Sequence, residues 1–221
     1  SKRFSLSGTP TDCVVMGVKH VQDAKGDNVP FDLVLSGVNR GSNLADDVTY
    51  SGTIAGAMEG TVLGIPSIAL SQAYGFDPDH SGVRWEVAEH FGPGLLAALL
   101  DQGWPANVLL NVNFPDKPVD AVSEIEVTSQ GARDQSNLYA DKRQDVRGFP
   151  YFWIGFKRNL SNPPEGTDLR AIYEGRISVT PLHLNLTEGP TVTSLRDWLG
   201  GTRETILTAG RMRASKGGGD G

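Results

Sequence analysis

With 221 residues, 38% of them hydrophobic, the chain is long enough to bury a core and suits one large domain or a domain with an appendage. A net charge of -6 and a sequence pI near 5.2 exclude a surface that holds nucleic acid by neutralising many phosphates, so no stable nucleic-acid complex is expected. No apolar stretch reaches the roughly 18 residues of a membrane span, the opening SKRFSLSGTP lacks the apolar segment of a signal peptide, and the single cysteine, Cys13, cannot pair within the chain. A cytoplasmic protein without a membrane partner is expected, its one thiol buried and inert in an apolar run.

Thr9, Pro10, Thr11 and Asp12 spell a capping box with proline at the first helical position, and Val14, Val15, Val18 and Val21 follow at helical spacing. A helix over about 10–23 is predicted. FDLVLS at 31–36, ending in Gly37, predicts a buried parallel strand whose carboxyl end opens into a loop running to about Tyr50. From Ser51, SGTIAGAMEGTVLG carries Gly or Ala at 52, 55, 56, 57 and 60, which suits a helix packed closely on a sheet and ended by Gly64 and Pro66. SIALS at 67–71 predicts the next strand, and turns are expected around Asp77, Pro78 and Asp79. A helix over 83–102 and a strand over 107–115 follow. This alternation predicts an α/β fold with a mostly parallel sheet, helices on both faces and ligands beyond the carboxyl ends of the strands.

From about 120 the texture becomes β-rich: IEVTSQG at 125–131 and YFWIGF at 151–156 read as strands separated by the charged stretch DKRQDVRG, and ISVTPLHLNL at 177–186 reads as another strand. Residues 120–165 are expected to form a β-rich arm. SLRDWL at 194–199 predicts a short helix, and the small, basic, Gly-rich end from 209 to 221 is expected to be a disordered tail, leaving 1–199 as one domain.

The chemistry concentrates in residues 36–53. SGVNRGSN places Asn39 and Asn43 on a glycine-assisted loop where α/β enzymes bind ligands, and an amide there can ligate a hard cation or donate to a phosphate oxygen. Asp46 and Asp47 bring carboxylates within reach, although exposed loop aspartates are also commonplace. Ser51, Gly52 and Thr53 stand at the start of a predicted helix, where free N–H groups and the dipole favour an anion; a plain N-cap explains Ser51 equally well. His20 reads as a dipole partner at a helix end, His80 and His90 as surface residues, and His183 as facing the core or a partner subunit, with a catalytic role as the lesser alternative. Tyr151, Phe152, Trp153 and Phe156 suit either base stacking or packing of the arm, and Arg143 and Arg147 a solvated loop. No G-x-G-x-x-G follows a strand, which excludes a dinucleotide-binding oxidoreductase.

GTPTDCV at 8–14, SGVNRGSNLADDVTYSGT at 36–53 with its continuation IAGAMEG to 60, and GTDLRAIYEGRISVTPLHLNLT at 166–187 together resemble the SurE family of survival-protein nucleotidases, in collinear order over roughly 8–199. The resemblance implies a Rossmann-like three-layer core with a β-hairpin extension used in homodimer or homotetramer assembly. It also implies hydrolysis of nucleoside 5′- and 3′-monophosphates with a divalent cation, Mg2+ or Mn2+. By that pattern Asn39 is a metal ligand, and Asn43, Ser51, Gly52 and Thr53 bind the phosphate and stabilise the transition state. Ala45 stands where the family usually has glycine. The family's Asn-Asp-Asp-Gly motif and upstream serine are not among these 221 residues, so an amino-terminally incomplete chain is expected, short by roughly fifty residues. Two readings therefore stand: a nucleotidase, or a truncated non-catalytic homologue that keeps oligomerisation and weak anion binding.

Overall fold

The computed structural model describes residues 3–21, 31–76, 82–133, 138–156 and 162–216. They fall into two compact units, one up to Leu184 and one from Asn185 on. The first is built on a five-stranded sheet. Its central strands, β2 (Ser67–Gln72) and β3 (Val108–Phe114), are almost wholly buried because both faces are covered, which is why they read as near-continuous apolar runs. Ile68 and Leu70 of β2 with Leu110, Val112 and Phe114 of β3 pack against Val87 and Ala88 of α3 (Trp85–Gln102). The alternate residues Ala69 and Leu109 pack with Ile54 and Ala57 of α2 (Gly52–Val62). That split of one strand's side chains between two helices produces the three layers.

The sheet order is β1 (Val34–Arg40), β2, β3, β7 (Ile177–His183), β4 (Ile125–Val127). The β1–β2, β2–β3 and β4–β7 pairs are parallel, and β3 with β7 is antiparallel. The expected mostly parallel α/β core is present. Since β7 runs against β3, with Ser178 opposite Asn113, its first residues lie at the carboxyl end of β3. The preceding helix α4 (Asp168–Tyr173) is thereby brought to the same edge of the sheet.

Several expectations are corrected. The capping box forms, with Thr9 Oγ1 accepting from Asp12 N and Asp12 Oδ2 accepting from Thr9 N, but α1 (Pro10–Met16) gives way to a wider π-helical turn over Gly17–Val21. Residues 22 and 23 lie outside the described residues. Cys13 is exposed rather than buried, because the half-buried stripe of this helix runs through Thr11, Val14, Val15 and Val18 and passes it by. β1 starts three residues later than expected and continues to Arg40, so Asn39 lies on the strand and not on the loop. Its pairing with β2 breaks between Ser36 and Asn39, then resumes with Asn39 opposite Ser71 and Arg40 opposite Gln72. Nor is β1 a buried strand. It stands at an edge among the described residues, with Leu35 46% and Val38 39% exposed.

The region expected as one β-rich arm divides: β4 joins the main sheet beside β7, and only β5 (Leu138–Gln144), antiparallel to β6 (Pro150–Phe156), forms a separate two-stranded sheet. The charged residues Asp141, Lys142 and Arg143, expected between strands, belong to β5. Asp141, Lys142 and Arg143 are exposed, so a ladder there leaves their charges in water. Asp145 closes the hairpin by accepting from the N–H groups of Arg147 and Phe149. In the second unit the helix expected over 194–199 is far longer, α5 (Gly189–Lys216), and takes in residues 209–216. Ala, Arg and Met in that stretch favour helix and offset its glycines. Residues 217–221 and the expected turn around Asp77, Pro78 and Asp79 lie outside the described residues.

Gly37 controls the break in β1. Its φ is +122°, and a Cβ there would sit 2.2 Å from the carbonyl oxygen of Leu70. Gly37→Ala is expected to lose on the order of 3 kcal/mol of stability. The urea midpoint should fall accordingly, and an unchanged midpoint would show that the β1–β2 pairing does not depend on this close approach.

Candidate active site

The carboxyl ends of β1, β2 and β3 meet at one edge of the sheet, and the chain from Gly41 to Tyr50 crosses over them. A loop in that position buries main-chain groups, which need partners from the sheet below. β3 supplies them. Asn113 Oδ1 accepts from Asn43 N at 2.8 Å, while Asn43 O accepts from Asn111 Nδ2 at 2.9 Å and from Asn113 Nδ2 at 3.1 Å. Asn43 Nδ2 donates to Ser71 Oγ of β2 at 2.7 Å. Asn111, Asn113 and Ser71 are fully buried and Asn43 is 8% exposed. Sequence reasoning missed Asn111 and Asn113. The signal was there: two asparagines spaced by two in an apolar strand share a face, and buried amides require partners.

The other end of the crossing is fixed from a distance. Ala45, with φ +52° and fully buried, opens a 3-10 turn over Ala45–Thr49. Asp168, at the start of α4 and also fully buried, accepts through Oδ2 from Ala45 N and through Oδ1 from Gly131 N and Leu169 N, each at 2.8 Å. One carboxylate thus joins three segments. Burial pushes the Asp168 carboxyl above its ordinary value, against those three N–H bonds and the nearby Arg133 charge, which act the other way. Arg133 completes the clamp: its main-chain N–H donates to Asp46 Oδ2 at 2.8 Å and its guanidinium forks onto both carboxylate oxygens of Asp47. Asp46 and Asp47 are therefore tied to Arg133 and are neither free loop carboxylates nor assembled as ligands.

After this crossing the chain enters α2. Ser51 is its N-cap, with Oγ accepting from Ile54 N at 3.1 Å, so the hydroxyl proton stays available to an outside acceptor. The N–H groups of Gly52 and Thr53 belong to the first turn and have no intrahelical acceptor. Gly52 lies against α1, where a Cβ would meet Pro10 Cγ at 3.3 Å. This start of α2 can take a phosphate or another small anion. Asn39, half-buried at the end of β1, donates through Nδ2 to Gly41 O at 2.9 Å, which leaves Oδ1 as its acceptor.

Among the described residues no group of three or more His, Cys, Asp or Glu side chains could hold a metal ion. A hard divalent cation takes several oxygen ligands. The amide oxygen of Asn39 alone does not make such a site, so the donor set present fits anion binding and not, by itself, a cation. His20, His90 and His183 are exposed; His183 points neither into the core nor at this edge, being opposite Val108 at the far end of β7. His80 lies outside the described residues. Tyr151, Phe152 and Trp153 are exposed on the hairpin, where Arg143 bonds Asp141 and stacks on Trp153.

The sequence model of the family described as Survival protein SurE matches residues 1–137. A 5′-nucleotidase SurE of Parvibaculum lavamentivorans is 58% identical over 200 residues, covering 90% of this chain and 70% of that protein. Another, of Caulobacter vibrioides, is 56% identical over 201 residues, covering 91% and 75%. The crystal structure of the SurE protein from Aquifex aeolicus matches with a TM-score of 0.72 at 38% identity, over 87% of this chain and 73% of that one.

The Asp168 clamp has a pH signature. Because its folded value is raised, the stability this carboxyl contributes is complete below its ordinary value near 3.8 and is lost as pH rises through the folded value. Compared with Asp168→Asn, which does not titrate, the wild type should hold its largest advantage in urea midpoint near about pH 4 and a smaller one by about pH 7. An advantage that is constant or widens with pH contradicts the raised carboxyl.

Proposed function

The chain belongs to the SurE family, and from that premise we propose that it is a metal-dependent phosphate-monoester hydrolase acting on nucleoside 5′- and 3′-monophosphates. The observation that carries the reading is the start of α2, open to an anion at the carboxyl edge of the parallel strands. The relatives named 5′-nucleotidase SurE supply the substrate class.

In this reading the phosphate sits on Ser51, Gly52 and Thr53. Two main-chain N–H groups, the Ser51 hydroxyl proton and the Thr53 hydroxyl converge on oxygens whose charge shifts as the ester bond breaks. Asn43 contributes its second amide hydrogen, the first being used on Ser71. These donors are held before substrate arrives, so little reorganisation accompanies the reaction. Asn39 would contribute one oxygen to the cation, for which magnesium or manganese is the proposed ion and which would polarise the phosphoryl oxygens; the described residues provide for the phosphate and do not by themselves complete a metal's shell. Assembly as a homodimer or homotetramer is proposed through the hairpin, where Tyr151, Phe152, Trp153 and Ile154 are exposed together. A cytoplasmic location is proposed as well, in keeping with the fact that no described helix is long and apolar enough to cross a membrane.

Phosphate release from nucleoside monophosphates, followed with added Mg2+ or Mn2+ and again after chelation, tests the reading. Release is expected with metal and should stop on its removal. Ser51→Ala should lower kcat on the order of 10²-fold with little change in the metal concentration needed, whereas Asn39→Ala should raise that concentration. No release from any nucleoside monophosphate with either ion overturns the proposal.

A further inference from the structure

We propose that Arg40 and Tyr74 form the platform on which the base of a nucleoside monophosphate stacks. The Arg40 guanidinium lies over the Tyr74 ring with Cζ 5.2 Å from the centroid. Arg40 is exposed, Tyr74 is 39% exposed, and no carboxylate among the described residues pairs with the guanidinium. Such a pair offers a planar cationic face and an aromatic one, and nucleobases stack on both.

Position assigns the pair to a nucleotide. Arg40 follows Asn39 directly, and the Gly41 carbonyl that accepts from Asn39 Nδ2 belongs to a residue whose Cβ position is 3.5 Å from Tyr74 Cε1 and 3.9 Å from Asn39 Nδ2. The platform thus adjoins Asn39, the residue proposed as a ligand of the cation at the phosphate, as a base joined to that phosphate through one ribose requires. The inference rests on the nucleotidase reading.

The support beneath the pair is rigid. Gly41 N donates to Gln72 O at 2.9 Å and Ala73 N to Phe114 O at 2.9 Å, which fixes the chain on either side of the stack. Two residues past Tyr74, Phe76 N donates to Asp116 Oδ2 at 3.0 Å, and fully buried Asp116 also pairs with Arg84 at 3.0 Å. An aromatic side chain held at both ends of its segment and still partly open to solvent is suited to receiving a flat ligand. The hairpin aromatics, by contrast, belong to a separate two-stranded sheet.

The test compares adenosine 5′-monophosphate with ribose 5-phosphate, which keeps the sugar and phosphate and lacks the base. Calorimetric titration of the whole chain is expected to show the nucleotide binding about tenfold more tightly. Arg40→Ala and Tyr74→Leu should each reduce that ratio to about twofold or less while leaving the ribose 5-phosphate Kd unchanged, and Tyr74→Phe, which keeps the ring, should retain it. Arg40 is exposed, so its variant reports even where Tyr74→Leu fails to fold. Equal affinities in the wild type, or a ratio that survives in Arg40→Ala, overturns the platform. Binding is read without turnover: absent phosphate release beside an intact ratio would sink the nucleotidase reading and leave the platform standing, and normal release with no base preference would do the reverse.

Discussion

Everything at the carboxyl edge of the sheet depends on how the main chain of Asn43 is held. A crossing loop must expose some polar groups to a ligand and bury others, and each buried group left without a partner costs about 1–3 kcal/mol. Asn113 answers both the N–H and the carbonyl of Asn43, and Asn111 adds a second donor to that carbonyl. Eight residues after this peg the chain reaches Ser51. The start of α2 is presented in one place because the peg fixes where the loop begins.

The antiparallel insertion of β7 has a matching role. A fully parallel sheet would deliver the helix before each strand to the opposite edge. Reversing β7 brings α4 to the edge where β1, β2 and β3 end, and so lets Asp168 reach Ala45 across 123 residues of sequence. With Arg133 bound to Asp46 and Asp47, the turn at 45–49 is gripped from the side as Asn43 is gripped from below. The loop is therefore a product of the topology more than of its own sequence.

That division explains what was legible in the sequence. The helices over 51–64 and 83–102 and the strands over 67–71, 107–115 and 177–186 follow from local periodicity, which the structure retains. The break in β1 could not be read, because Gly37 is explained only by the carbonyl of Leu70 on the neighbouring strand. Strand β5 was hidden by charges that cost nothing on an open ladder. The residues of the loop were found from their own pattern, while the groups that hold it, Asn111, Asn113, Asp168 and Arg133, lie 68 to 123 residues from their partners and carry no local mark of the pairing. Cys13 was misplaced because an apolar run on a short helix does not say which side is covered.

The choice of amides beneath the loop also shapes the field above it. The chain carries a net charge of -6, and a floor of carboxylates under the start of α2 would add to that and repel a phosphate at short range. Asparagine anchors the same main-chain groups without adding charge, and the nearest acidic pair, Asp46 and Asp47, is answered by Arg133. What an approaching anion meets is then the positive end of the α2 dipole, an attractive spot preserved on an acidic surface by the neutrality of the side chains underneath.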